Sequence, residues 1–241
     1  MSAWEVDALW LSMQIALLSL LLSTPPAVAL AWMMAKARWH GHWLVDAVVL
    51  LPMALPPAVI GFALLMGLSD EGQLGHWVGH LTGWTLDFFP SGAVLAASLV
   101  TLPLMVRVLR PAFEAIDPMM APLAQTLGAT PWSAWWSITL PLAAPAVLSA
   151  MALGLAAAWG ESGATLVLAS ALQPSPRVEH ATSTVPLALM QALRNPENLP
   201  AATRLALVSV GVAFVAVLLS EAGRRHWQGR WAAIQRSGAR A

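Results

Sequence analysis

Apolar residues run in long uncharged blocks along this chain, and charged residues stand between the blocks. An ionised side chain at the middle of a bilayer costs at least about 2.5 kcal/mol, so charges mark the ends of membrane spans. A spanning helix needs about 20 apolar residues. We therefore predict an all-α integral membrane protein with about five transmembrane helices, over residues 8–35, 47–69, 88–110, 138–160 and 201–220.

The composition supports a membrane protein. Hydrophobic residues make up 58% of the chain, charged residues only 10%, and the mean hydropathy is +0.68. Soluble proteins carry about 25% charged residues. No long polar linker interrupts the chain, so we predict one membrane domain over residues 1–241. Because the chain contains no cysteine, it has no disulfide framework and no thiol nucleophile.

The basic residues are unevenly distributed between the two sides of a five-span arrangement. Positively charged loops face the cytoplasm, which predicts an N-terminus outside and a cytoplasmic C-terminus. The outer side then receives Arg177, Arg194 and Arg204, of which Arg204 is expected to snorkel to an interface. The basic C-terminal segment is expected to rest near anionic headgroups, without nucleic acid binding. The cytoplasmic basic residues are Lys36, Arg38, Arg107, Arg110, Arg224, Arg225, Arg230, Arg236 and Arg240.

The loop between the third and fourth spans, residues 114–141, predicts a short helix outside the bilayer. Asp117 before Pro118 is typical of a helix start, and Gly128 is typical of a helix end. A protein groove is one place in which such a helix can bury its apolar face. The apolar positions recur at three- and four-residue spacing: Met120, Leu123, Ala124 and Leu127.

The same loop carries a recognisable motif. Gly128, nine further residues and then "ITLP" at 138–141 resemble the cytoplasmic coupling loop of ABC importer permeases. In that pattern Glu-Ala-Ala precedes the Gly by three residues, and Pro122 occupies the acidic position here. The resemblance implies a type I ABC importer permease fold with a cytoplasmic coupling helix. The ATPase-coupling residues that it implies are Asp117, Leu123, Ala124, Leu127, Gly128, Ala129, Ile138, Leu140 and Pro141.

A narrower resemblance covers residues 4–222. The segments "DALWLSMQIALLS", "LLPMALPPAVIGFALL" and "WGESGATLVLAS" are similar to the permease subunit of molybdate ABC transporters, and related sulfate and thiosulfate permeases share much of this similarity. It implies the channel subunit of an ATP-driven importer that moves molybdate, or a similar tetrahedral oxyanion, across the bacterial inner membrane. Sulfate, thiosulfate and tungstate remain alternative cargoes. The implied partners are a second copy, ABC ATPase subunits, an extracytoplasmic oxyanion-binding protein and membrane lipid.

The chain contains no G-x-x-x-x-G-K-[ST] phosphate-binding loop. We therefore expect a non-catalytic subunit that binds no cofactor, with ATP and magnesium on a partner ATPase. A secondary transporter is the alternative from another class, but the internal repeat typical of such proteins is not evident. A membrane enzyme would need a catalytic pair inside the bilayer, and no His lies within a predicted span.

Proline, glycine and one acid point to a gate. Prolines in the second span permit kinks, and an intramembrane acid such as Glu161 is a functional candidate. Since a carboxylate beside the path would repel a dianion, we expect Glu161 to be hydrogen-bonded to backbone. No Lys or Arg lies near the middle of a span, so we expect anion selectivity mainly in the binding protein. The candidate gate residues are Pro56, Pro57, Gly61, Glu161, Ser162, Gly163 and Thr165.

Two histidine pairs are possible metal ligands by their spacing. His76 with His80, and His40 with His42, have the spacing of a possible chelate but lack a suitably placed carboxylate. We therefore expect no metal site. The many tryptophans near the ends of the spans are typical of the aromatic belts found at membrane interfaces.

Overall fold

The computed structural model describes residues 2–36, 41–68, 90–170, 183–194 and 196–238. Side chains are described within these ranges up to residue 225, except for the side chain of residue 196. Within these ranges the chain is helical, and none of it forms a strand. A π-helical turn, Trp135–Thr139, joins α6 to α7, and a 3₁₀ turn, Pro196–Asn198, precedes α10. The helices are α1 (Ala3–Lys36), α2 (His42–Ala54), α3 (Pro57–Leu68), α4 (Ser91–Glu114), α5 (Met120–Thr126), α6 (Pro131–Ala134), α7 (Leu140–Trp159), α8 (Gly163–Ser170), α9 (Val185–Leu193) and α10 (Leu199–Gly238).

Within the described part of the chain, four helical stretches are long and apolar enough to cross a membrane: Ala3–Lys36, Ser91–Glu114, Pro131–Trp159 and Leu199–Arg225. Helices α2 and α3 form a fifth candidate, because together they are apolar enough to span but are bent by 103°. The prediction of an all-α membrane protein with about five spans is confirmed.

The predicted span over 47–69 is not one continuous helix. Helix α2 ends at Ala54, and the next residue, Leu55, is extended with φ −82° and ψ 144°. A residue before proline is driven out of the helical region, and Leu55 precedes Pro56. The second proline, Pro57, then suits the first turn of a new helix. The two consecutive prolines therefore break the span, where we had expected only a kink.

The fourth span begins earlier than the predicted residue 138. The Trp-rich stretch lies within the predicted loop 114–141, but it is helical from Pro131, where Thr130 Oγ1 accepts the Ser133 amide at 3.1 Å as a helix cap. A π-turn follows, in which the Leu140 amide donates to the Trp135 carbonyl. It lies directly before Pro141, whose ring would otherwise clash with the preceding helical turn.

The centre of the bundle is formed by α1, α4 and α7. Met105, Leu109 and Phe113 of α4 are fully buried between the other two helices. A polar seam accompanies this apolar core, since Ser98 Oγ donates to the Ser19 carbonyl at 3.2 Å. Small side chains and interhelical hydrogen bonds of this kind hold helices together where lipid offers no hydrophobic driving force.

Opposite ends of the bundle carry different ion pairs. At the α5 end, Arg110 Nη1 of α4 lies 2.8 Å from Asp46 Oδ2 of α2. At the other end, Arg204 Nη2 of α10 lies 2.7 Å from Oε1 of Glu5, whose side chain is fully buried. The snorkelling of Arg204 to an interface stays a prediction, and in the structure its guanidinium is held by a carboxylate of α1.

Candidate functional site

Helix α5 has both of the ends that the sequence predicted. At its start, Asp117 Oδ1 accepts the Met119 amide at 2.8 Å, one turn before the helix proper. At its end, Gly128 has φ +94°, and it is the one residue with positive φ in the described chain. The Gly128 amide donates to Gln125 and the Ala129 amide donates to Ala124, both at 3.0 Å. This pair of bonds is a Schellman motif, which fixes a sharp helix stop.

The apolar face of α5 is uncovered. The side chains of Leu123 and Leu127 are 56% and 89% exposed, and no residue of the helix is buried. Helix α5 is too short to be stable on its own, so its conformation depends on its end caps and neighbours. A large apolar surface held out by a capped helix is typical of a contact site for another protein.

The residues after Gly128 attach α5 to the bundle. Ala129 and Ile138 are half-buried, and Leu140 packs against the central core cluster. Pro141 remains exposed at the start of α7. The predicted coupling residues therefore form one continuous structure, from the Asp117 cap to the first turn of the fourth span, and their coupling role stays a prediction.

The predicted gate residues lie at the other end of α7, where α3 and α8 cross. A Cβ added to Gly61 would lie 2.6 Å from the Ala164 carbonyl oxygen, and one added to Gly163 would lie 2.8 Å from Pro57 Cβ. Real Cβ atoms essentially never approach other atoms so closely. The two helices are therefore in backbone contact, and neither glycine can be replaced without separating them.

Glu161 organises the start of α8. It is only 8% exposed, and its Oε1 accepts the Ala164 amide at 2.8 Å. The expected hydrogen bond to backbone is present, and its partner is the first turn of α8, three residues further along the chain. The carboxylate therefore satisfies a buried amide at a helix start, where negative charge is also favoured by the helix dipole.

The other predicted gate residues surround this crossing. Thr165 is 1% exposed on α8, Ser162 is half-buried, and Pro56 is exposed at the break between α2 and α3. Sequence reasoning thus brought together residues from two distant segments that the fold places side by side. Their role as a gate stays a prediction.

Two features near these sites were missed. Helices α8 and α9 were not predicted, because each has only 8 or 9 residues and its periodic signal is weak. The Glu5 to Arg204 pair was also missed, although opposite charges at the same predicted end of the first and last spans were a usable signal. The ranges that the structure describes contain no group of three metal-ligating side chains. His40, His76, His80 and Arg177 lie outside those ranges.

Comparison with known proteins identifies the class of this fold. The family model described as "Binding-protein-dependent transport system inner membrane component" matches residues 27–222, and the chain belongs to this family of ABC importer permeases. The solved structure of a bacterial ABC transporter involved in alginate import has a similar fold, with a TM-score of 0.67 at 20% identity, covering 93% of this chain and 80% of that one.

Among curated relatives, the chain is similar to the molybdenum transport system permease protein ModB of Haemophilus influenzae. The two are 37% identical over 217 residues, which cover 90% of this chain and 92% of the relative. ModB of Escherichia coli K12 is 35% identical over the same coverage. A probable sulfate transport system permease protein, cysT, of Marchantia polymorpha is 34% identical over 158 residues, covering 64% of this chain and 54% of that protein.

Proposed function

We propose that this chain is the transmembrane channel subunit of an ATP-driven importer that carries molybdate, or a similar tetrahedral oxyanion, into the cytoplasm. The observation that carries the proposal is the similarity to ModB proteins across about nine tenths of both chains. The proposal is also supported by the capped helix α5, whose exposed leucines can contact a partner. The sulfate permease relative matches a smaller part of both chains, so sulfate is the second candidate cargo.

In this proposal, a separate ATPase subunit supplies the energy for transport and binds α5. Leu123 and Leu127 would enter an apolar groove of the ATPase, since four-residue spacing presents them side by side. The acidic position of the coupling motif is occupied by the exposed Pro122. Docking in this protein would therefore depend on apolar burial more than on charge, at about 1.5–3 kcal/mol for each fully buried leucine.

Helix α7 connects the two candidate sites. It is 20 residues long, or about 30 Å; it begins directly after the π-turn that follows α5 and α6, and it ends two residues before Glu161. A packed helix transmits displacement because a close-packed interior hardly compresses. Movement of α5 by the ATPase would therefore shift the start of α8 and its crossing with α3, which opens or closes the path.

We propose that two copies of the chain enclose the path, with α5 cytoplasmic, α1 beginning outside the inner membrane, and the outer end meeting an oxyanion-binding protein. The basic residues Lys36, Arg110 and Arg224 belong to the α5 end, which supports this orientation. Within the described spans, Arg110 and Arg204 are both paired with carboxylates and are therefore not free to hold a transported anion tightly. Arg107, at the α5 end of α4, is exposed and forms no ion pair with another described residue.

Reconstitution tests this function directly. The permease would be assembled in lipid vesicles with its ATPase and binding protein, and ATP hydrolysis would be measured with molybdate, tungstate, sulfate or thiosulfate. We expect molybdate to stimulate hydrolysis most and to accumulate inside the vesicles only when ATP is present. Equal accumulation driven by an ion gradient without ATP would identify a secondary transporter. Preferential stimulation by sulfate would reassign the cargo but keep the class.

A further inference from the structure

An apolar groove of about 560 Å³ lies behind α5, between that helix, the end of α1 and the π-turn. Its volume falls in the range of about 300–1,000 Å³ that is typical of ligand-binding cavities. Helix α5 contributes Ala121 and Gln125 to the wall, whereas Leu123 and Leu127 are not part of it. The groove and the leucines therefore occupy different faces of α5, and a partner on the leucines leaves the groove open.

Tryptophans form one side of this groove. Trp132 and Trp135 are stacked with ring centroids 5.6 Å apart, and Trp32 of α1 meets Trp135 edge-on at 6.3 Å. Trp136 completes the cluster, 5.0 Å from Trp135, but does not line the groove. The rings of Trp32, Trp132 and Trp135 thus give the groove an aromatic wall against which an apolar chain can pack.

The mouth of the groove carries two opposite charges. Lys36 ends α1 and Asp117 precedes α5, and both side chains are exposed on the groove wall. In the part of the chain that the structure describes, they form no ion pair with each other or with another residue. Lys36 and Asp117 thus place a positive and a negative group on the wall of the same groove, which suits a ligand that carries both charges.

We propose that this groove binds a zwitterionic phospholipid, with one acyl chain between the tryptophans, the phosphate at Lys36 and the ammonium group at Asp117. Phosphatidylethanolamine has this combination of charges. The groove is also placed for a lipid, because α1 lines it with Ala29 and Trp32, which lie inside a candidate membrane span.

The bound lipid would support α5 from behind. Since no residue of α5 is buried by the protein itself, the acyl chain would supply part of the packing that the helix lacks. The proposal does not depend on the identity of the transported anion. The groove would hold a lipid from the bilayer that stabilises α5, and this lipid is distinct from the partner that covers the leucines.

Photo-crosslinking in the assembled transporter tests the lipid site. The complete complex would be placed in vesicles of phosphatidylethanolamine and phosphatidylglycerol, each in turn carrying a diazirine on an acyl chain, and crosslinked peptides would be mapped by mass spectrometry. We expect crosslinks concentrated on the groove wall, with more from phosphatidylethanolamine. Lys36→Ala should lower the yield from both lipids about fivefold, because one basic residue near the surface contributes about that factor.

Matched variants separate the site from general lipid contact. Asp117→Asn keeps the oxygen that accepts the Met119 amide and should remove the preference for phosphatidylethanolamine. Ala121→Phe should fill the groove and remove the crosslinks, while Leu127→Phe on the same helix should not. Arg225→Ala, an exposed basic residue at the same end of the bundle, should leave the yield unchanged.

Three results would overturn the proposal. The first is crosslinks spread evenly over all lipid-facing helices, and the second is an equal crosslinking yield of the groove peptides in Lys36→Ala and Arg225→Ala. The third is a groove that the ATPase or the second copy covers, so that its peptides are not crosslinked by lipid in the assembled transporter. Co-purification of the ATPase with each variant shows whether the complex is intact. If Ala121→Phe fails to assemble, the two charge variants decide the question alone.

Discussion

The two candidate sites at the ends of α7 are built on opposite principles. Helix α5 has no buried residue and presents Leu127 with 89% of its side chain exposed. The crossing of α3 and α8 is so close that Gly61 and Gly163 have no room for a side chain. One end therefore offers a surface that a partner can cover, and at the other end two helices lie too close together for a side chain on either glycine.

This difference shows where each site obtains its stability. The shape of α5 is set by local bonds at its caps, so a partner can bind it without reorganising the bundle. The α3 to α8 contact is set by long-range packing, so a small displacement of either helix separates it. Such an arrangement suits a permanent contact at the first site and a moving contact at the second.

Closing the space at the glycine crossing should produce the largest effect. Gly61→Val inserts a side chain where even one carbon has no room, and overpacking costs about 1–3 kcal/mol or more. We expect transport in reconstituted vesicles to fall at least about tenfold. Gly211→Val in α10 is the matched control, because nothing lies within 4 Å of its added Cβ. Equal losses in the two variants would mean that the crossing has no special role.

A charge on the exposed face of α5 should produce the next largest effect. Leu127→Asp would place a carboxylate in the apolar groove proposed for the ATPase, and loss of a central contact typically costs about 2 kcal/mol or more. Binding of the ATPase to the permease should weaken about tenfold or more, as measured by co-purification and titration. Thr126→Asp, on an exposed neighbouring position, should change binding little. If both variants bind normally, the leucine face does not dock the ATPase.

Removing the cap of α8 should have a moderate effect. Glu161→Ala leaves the buried Ala164 amide without its acceptor, and loss of a helix cap costs about 0.5–2 kcal/mol. Glu161→Gln retains an oxygen that can accept the same bond and should be milder. Thermal unfolding of the purified permease and vesicle uptake would both be measured. If the Ala and Gln variants lose thermal stability and uptake equally, the hydrogen bond is unimportant and the charge of Glu161 matters instead.

Restoring the acidic residue of the coupling motif should have the smallest effect. Pro122→Glu returns a carboxylate to an exposed position, where one ion pair contributes about 0.2–1 kcal/mol. We expect ATPase binding to tighten by about twofold to fivefold, and the gain to disappear at high salt. Pro122→Ala separates this charge from the removal of a proline. A gain that is the same for Ala and independent of salt would contradict an electrostatic contact.

Sequence reasoning predicted the features that depend on neighbouring residues. The caps at Asp117 and Gly128 follow from local backbone chemistry, and the spans follow from the cost of placing charge in lipid. The break at Pro56 was underestimated because two adjacent prolines remove more helical bonds than one kink accommodates. In each of these cases the information lies within a few positions of the chain.

The remaining features depend on segments that meet only in the folded protein. The closeness of Gly61 to Ala164 is a property of two crossing helices, and no local pattern gives the distance between them. The groove behind α5 requires the π-turn, which carries Trp135 toward the end of α1. Sequence reasoning named Pro57, Gly61 and Gly163 as candidates, but their contact became evident only in three dimensions.

The pair formed by Glu5 and Arg204 has a consequence for how the protein is made. The two residues are 199 positions apart, so the carboxylate is synthesised long before the guanidinium that neutralises it. At about 5–20 residues per second, the wait is about 10 to 40 s, during which Glu5 must stay hydrated. Completion of the last span therefore supplies the charge that neutralises Glu5, and we expect a chain truncated before Arg204 to keep a carboxylate without its cationic partner.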